Sequence, residues 1–455
     1  MSQYLCSFGV SVTLLTIVMT TPVRADDDTC MLGTTCLSVN DDGTLATGPG
    51  PNIAQCSGDF PDFIAPLSML ENSKERFRLS QSYPKTIPAM DAPWLAIKFD
   101  SNQEEGTKYL YALRNYAFDG MIDADFEPAK NKVRQWFHMP LMNFGPGRRE
   151  PLHGLTSERP VTGPELGLKP GITIHNYAIG FYNAVGAYTI GQVWKSGTSP
   201  DLKKSQFEDG AMAFKILFTD AKPDDFSVSD ILAGAPSWEI ATKSGRTTVR
   251  LLQMDVAAAD SHSPTGWVFG TFAYDKDAAD SSAWRKLRAV GLSWGNDFGF
   301  TPGDSVAGRL LKETFISAEI PSYSKIHLGW AGRANGPVDN PVSGCLSCHG
   351  TAQFPVGAQI TFSSAALGNK CDTDEKKMQW FRNFTGDVPF GEIDTSTCML
   401  QSSSAGLIAL DFSLQMQVAV QSLLQYHDSN PCNLTAKLET VPMTADEQNA
   451  PRVQR

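Results

Sequence analysis

Cys345-Leu346-Ser347-Cys348-His349 is the segment of this 455-residue chain whose residue types and spacing are best suited to chemistry. Two thiols three positions apart can add across the two vinyl groups of a haem, forming thioethers along one porphyrin edge. The histidine that follows then falls beneath the iron as its proximal ligand and helps to set the potential. A chain of this composition is expected to contain only about 0.003 such pentapeptides by chance. Other dithiol chemistries fit the surroundings less well. A thioredoxin-like redox pair calls for a neighbouring βαβ unit, whereas Asn335-Gly336-Pro337 and Asn340-Pro341 read as loop. A zinc site calls for further closely spaced ligands, and none follows His349. A simple disulfide between the two thiols leaves the histidine without a reason. The motif therefore predicts one covalent haem c, held by Cys345 and Cys348 and ligated by His349.

Thioether attachment belongs outside a reducing cytosol, and the first residues agree. Leu5 to Met19 is largely apolar, and Val23-Arg24-Ala25 places compact residues before a cut ahead of Asp26, so residues 1–25 read as a signal peptide. The mature protein is expected to be periplasmic or secreted, with no membrane span. Of nine cysteines, Cys6 leaves with the signal and two serve the haem. Cys30, Cys36, Cys56, Cys371, Cys398 and Cys432 remain, an even set that suggests disulfide bonds and allows fifteen full pairings. If all six pair, at least one bridge joins the two ends of the chain. A net charge of −11, with no run of Lys or Arg, argues against a nucleic-acid partner.

The elements that must carry the motif are legible from periodicity. Strands are expected at Trp94 to Phe99, Tyr177 to Tyr182, Tyr188 to Trp194, Ala211 to Phe218, Thr247 to Met254, Trp267 to Tyr274 and Val290 to Trp294. Turn-forming clusters between them favour an antiparallel sheet over βαβ units. Helices are expected within Glu104 to Met121 and Asp411 to Tyr426, where apolar residues recur at helical spacing. The fold class is α+β: a disulfide-held N-terminal extension over 26–120, an antiparallel-sheet-rich haem-binding domain over 121–355, and a small, mostly helical region over 356–455.

Phe207-Glu208-Asp209-Gly210-Ala211-Met212-Ala213-Phe214-Lys215, the later Gly266-Trp267-Val268-Phe269-Gly270-Thr271-Phe272, and the haem motif after them resemble the order found in beta-type cytochromes c-prime and in their lysine-cross-linked relatives, the P-four-sixty cytochromes. The likeness covers residues 170 to 355 and implies one haem held against an antiparallel sheet. It also implies a catalytic role for Lys215, the position matching the lysine that bonds to the porphyrin and tunes hydroxylamine oxidation. The long insertion between Phe272 and Cys345, and the additions at both ends, depart from the small family members.

The sixth iron position decides the class of function. Met378, Met399 and Met416 follow the motif where electron-transfer cytochromes place a thioether ligand, although Met416 also fits a helix core. His138, His153 and His327 are candidates for a distal ligand or proton donor, or, with Arg148, Arg149 or Arg333, for contacts to haem propionates, although for each histidine a hydrogen-bonded packing role is the preferred reading. The expected function is an exported c-type cytochrome in one-electron transfer with a redox donor or acceptor protein. The alternatives are a haem-dependent oxidoreductase acting on a small nitrogen compound such as hydroxylamine, or an NO or CO sensor taking its small-molecule ligand at an open iron.

Overall fold

The computed structural model describes residues 77–99, 102–140, 149–195, 200–356, 371–394 and 396–429, together with the short strand pair Ser38–Val39 and Leu45–Ala46. The expected signal peptide, Cys30, Cys36, Cys56, Cys432 and Arg148 lie outside the described residues. The chain is α+β, as expected. Its centre is an eight-stranded antiparallel sheet made of β1 (Thr156–Ser157), β2 (Asn176–Tyr182), β3 (Met212–Thr219), β4 (Ser237–Thr242), β5 (Gly245–Ala259), β6 (Trp267–Tyr274), β7 (Leu287–Ser293) and β8 (Thr314–Ile316). The spatial order is β8-β7-β6-β5-β3-β2-β1. The long β5 pairs with β3 on one side; on the other its first half pairs with β4 and its second half with β6.

Side chains alternate across these strands, so the register defines two faces. On one, Phe214, Ile216, Met254, Val256 and Phe272 join the main core with Tyr109, Leu110 and Leu113 of α1 (Gln103–Phe118). Gly270 makes this contact close, because a Cβ there would collide with the Leu110 side chain. Asn102 caps α1 by accepting the Glu104 N–H at 2.9 Å. Helix and sheet thus share one core across the boundary expected near residue 120. The opposite face carries Ala213, Lys215, Asp255, Ala257, Phe269 and Thr271, and it is the face on which the candidate site is built.

Two expected strands are helical. Trp94 to Phe99 begins with a 3-10 turn, Pro93–Ala96. Pro93 sets the helical φ and Trp94 is fully buried, edge-on to Tyr116, so its apolar run serves packing rather than a ladder. Tyr188 to Trp194 falls in α2 (Ala184–Val193), which Asn183 caps by accepting the Gly186 N–H at 2.9 Å. Val185, Thr189, Ile190 and Val193 fill one side of α2, and this packing outweighs the strand preference of Tyr, Thr, Ile and Val.

After the sheet come α3 (Cys345–His349), the strand pair β9 (Gln353–Phe354) and β10 (Ile408–Ala409), α4 (Asp374–Met378) and α5 (Leu414–Ser429). The expected C-terminal helix is present, packed through Met416, Ala419, Val420 and Leu423 against Ile190, Val193 and Trp194. Irregular chain fills most of 371–394 and 396–413 and is stapled by a Cys371–Cys398 disulfide within the cluster of Trp330, Trp380, Phe381 and Phe390. With its cysteines 27 positions apart, that bridge is expected to stabilise the fold by about 3–4 kcal/mol. Chemical unfolding of a Cys371→Ala/Cys398→Ala variant checks this, and an unchanged midpoint would contradict it. Among the described residues no helix is long and apolar enough to cross a membrane.

Candidate functional site

The pentapeptide forms its own short helix, α3, which turns Cys345, Cys348 and His349 to one side and buries Leu346 and Ser347 on the other. All three outward residues are half-buried. The entrance is tightly tied. The Ser347 hydroxyl accepts the Gly344 N–H at 2.9 Å and donates to the Gly344 carbonyl at 3.0 Å, while the Cys345 N–H donates to the Ala334 carbonyl at 3.1 Å. Trp330 N–H donates to Ser343 O at 2.8 Å, in an approach that only Gly329 permits, since a Cβ there would strike the Ser343 carbonyl.

His349 is oriented from both sides. Its ring lies over Phe269 of β6, with centroids 4.5 Å apart, and its Nδ1 is 2.9 Å from the Phe412 carbonyl. A neutral imidazole donating from Nδ1 keeps the Nε2 lone pair for a metal. Phe412 and Asp411 both have positive φ in the turn that presents this carbonyl, just before α5. It is held there by Asp411, whose carboxylate accepts Trp267 Nε1–H at 2.7 Å and Phe207 N–H at 2.6 Å. Burial pushes Asp411 up to about 6 despite these bonds.

Electrostatics suit neutral groups. Burial, assisted by Lys215 and opposed by the Phe412 hydrogen bond, lowers His349 to about 4, so the imidazole is unprotonated at neutral pH. Burial pushes Cys348 up to about 12 and Cys345 well above the usual thiol range, with Asp339 adding to both. Such thiols are protonated at neutral pH, unlike the low-pKa thiolate of a redox-active pair. Nor are they bonded to each other. Among the described residues there is no group of three or more His, Cys, Asp or Glu that could hold a metal ion.

The depressed His349 has a consequence for the haem-free chain. The unfolded histidine takes up its proton near pH 6.5 and the folded one near 4, so stability is lost as pH falls through that window. Discounted for the half-buried ring, the loss is on the order of 2 kcal/mol. Unfolding free energies at pH 7 and pH 4 should fall more steeply for the native chain than for His349→Gln, and parallel profiles would refute this.

Lys215 lies on the same sheet face as Phe269, beside Asp255 in cross-strand register, with Nζ 3.3 Å from Asp255 Oδ2. Burial works against its charge, but Glu158, Asp255 and Asp339 together outweigh that and raise its pKa. It is therefore held as an ammonium, whose nitrogen has no lone pair for bond formation.

In comparisons with family models, curated proteins and solved structures, nothing matches this chain. The functional reading of the site rests on its own residues.

The remaining candidates have other occupations. Met416 Sδ accepts Trp194 Nε1–H at 3.3 Å, Met378 Sδ accepts the Gly299 N–H at 3.2 Å, and Met399 is exposed. His138 packs between Phe77 and Phe181 on the α1 side of the sheet and accepts the Ser80 N–H. His153 stacks on Trp238 at 4.4 Å, and His327 accepts the Leu166 N–H. Arg149 donates to the Gly154 carbonyl. Arg333, buried beneath the loop before the motif, donates to the carbonyls of Asn296, Asp297, Phe300 and Trp330. Each of these histidines and arginines is thus engaged in packing or in backbone hydrogen bonds.

Sequence reasoning missed Asp411 and Phe412, which it assigned to a helix. Ser413, whose hydroxyl accepts the Met416 N–H at 3.2 Å, was the signal that the helix starts later. It also missed Gln253 and Asp255, although polar residues two apart in an apolar strand must share a face.

Proposed function

We propose that this chain is an exported c-type cytochrome carrying one covalent haem and passing single electrons in the periplasm or outside the cell. The observation that carries this reading is the arrangement of α3: two unpaired thiols and one imidazole on a single half-buried side, with Nδ1 committed to Phe412 and Nε2 left for iron. The neighbouring sheet face supports it. Gly180, Ala213, Lys215, Asp255 and Ala257 are all half-buried there, although they lie on inner strands where burial is the rule. Ala213 and Ala257, small side chains in register with the Phe269 ring, suit the approach of a flat macrocycle. The Cys371–Cys398 disulfide agrees with an oxidising compartment.

The haem would supply the one-electron couple. The protein's part is to hold the ring by Cys345 and Cys348, to orient His349 through Phe412 and Phe269, and to exclude water with the surrounding aromatic side chains. A second reading, ligand binding or oxidation of a small nitrogen compound at an open iron, draws on the hydrogen bonds that occupy the sulfurs of Met378 and Met416. The likeness to beta-type cytochromes c-prime belongs to the same proposal. The charged state of Lys215 favours an electrostatic role for it over a porphyrin bond.

The test is production of the chain with and without the cytochrome c maturation machinery. The expected product with it has the mass of polypeptide plus one haem, retained after acid-acetone extraction, and a Soret band. A competent host yielding only the bare polypeptide would sink the reading. A low-spin ferric spectrum with no CO binding to the ferrous protein selects the carrier, and a high-spin spectrum with CO binding selects the open iron.

A further inference from the structure

The site face of the sheet carries polar side chains that holding a haem does not require. Gln253 Nε2–H donates to both oxygens of Asp255, at 2.8 and 2.9 Å, and to Asp339 Oδ2 at 3.0 Å. The Thr271 hydroxyl donates to Asp255 Oδ1 at 2.8 Å, and the Gly336 N–H donates to Asp339 Oδ2 at 3.0 Å. Lys215 on β3 pairs with Asp255, and Glu158, just after β1, also acts on Lys215. From the loop side, Arg159 donates to the carbonyls of Val338 and Asp339 while pairing its guanidinium with Glu165. One amide therefore bridges two carboxylates, and the single ammonium of Lys215 faces three.

Two further observations bear on what such a cluster can do. Asp255 and Asp339 are half-buried, so water can reach them, yet burial first and Asp255 second raise the Asp339 carboxyl above its ordinary range while Lys215 opposes. Asp339 also acts electrostatically on Cys345, Cys348 and His349, the three groups that would surround the iron. In a loaded protein the two thiols would be thioethers and the imidazole a ligand, so the proton-accepting groups near the iron would be carboxylates: Asp255, Asp339 and Glu158 of the chain, beside the propionates that the haem itself carries.

We infer that the Asp255–Asp339 pair takes up one proton when the haem iron gains an electron and releases it on oxidation. This rests on the haem reading above. A one-electron donor reduces ferric to ferrous iron, the porphyrin centre loses one positive charge, and a proton from solvent binds one carboxylate oxygen of the pair. No other bond changes. Loss of a nearby positive charge favours the protonated carboxyl, and so does the like charge of the neighbouring carboxylate, against the Lys215 ammonium and the Gly336 and Gln253 donors that favour the ionised form.

Spectroelectrochemical titration of the haem-loaded full-length chain from pH 5 to pH 9 tests the inference. The reduction equilibrium is expected to change up to tenfold per pH unit across the active window, about 59 mV for one electron. Asp339→Asn and Asp255→Asn should each flatten that slope, while Asp277→Asn at an exposed carboxylate should leave it intact. If one of the two cluster variants fails to fold, the other decides. A Soret band with a pH-independent native potential overturns the inference and leaves the haem reading standing, as does a slope that persists in the cluster variants. Absence of covalent haem defeats the reading beneath it instead.

Discussion

Cys345→Ser combined with Cys348→Ser is expected to abolish covalent haem altogether in a host that loads the native chain, read as the loss of the haem mass increment and of haem staining after denaturation. The effect is all or none because each thioether is a bond that no packing contact replaces. Either single replacement should leave one thioether, so haem still resists extraction, with a pyridine haemochrome band between those of doubly attached and unattached haem. The control is Cys371→Ser/Cys398→Ser, which removes the other described cysteine pair and should alter stability with haem still attached. If the double replacement at 345 and 348 retained covalent haem, attachment at this motif would be wrong.

Asp411→Ala is expected to be the most damaging change that touches no proposed ligand. Removing the carboxylate leaves the buried Trp267 Nε1–H and the Phe207 N–H without acceptors, at roughly 1–3 kcal/mol each. It also frees two residues whose positive φ is stable only while the surrounding contacts hold them. A loss of about 3 kcal/mol or more in unfolding free energy is expected, beside a near-neutral Asp387→Ala. In the loaded protein the Phe412 carbonyl should no longer orient His349, which a changed ferric spectrum would report. Unaltered stability and spectrum would mean that Asp411 does not support the site.

Periodicity and covalent spacing made much of this molecule legible. The apolar runs Ala211 to Phe218 and Trp267 to Tyr274, set off by turn-forming clusters, marked central strands, and Tyr109, Leu110 and Leu113 marked the helix that covers them, because residue type and spacing within one element are local properties of the chain. Tyr188 to Trp194 was misread for the converse reason. Its β-branched residues favour a strand only weakly, and the choice was made by the Asn183 cap and by contacts with α5, more than two hundred residues away.

The candidate site divides in the same way. Cys345, Cys348 and His349 were legible as candidates because the spacing that the proposed thioether chemistry would need is written within five consecutive residues. Folding decided which histidine nitrogen is committed, through a carbonyl 63 positions away. It also gathered Lys215, Asp255 and Asp339 into one hydrogen-bonded cluster and gave the sulfurs of Met378 and Met416 other partners. Bond-forming capacity resides in residue type and spacing. Protonation, orientation and availability depend on burial and on long-range neighbours, which only the assembled sheet and its covering segments supply.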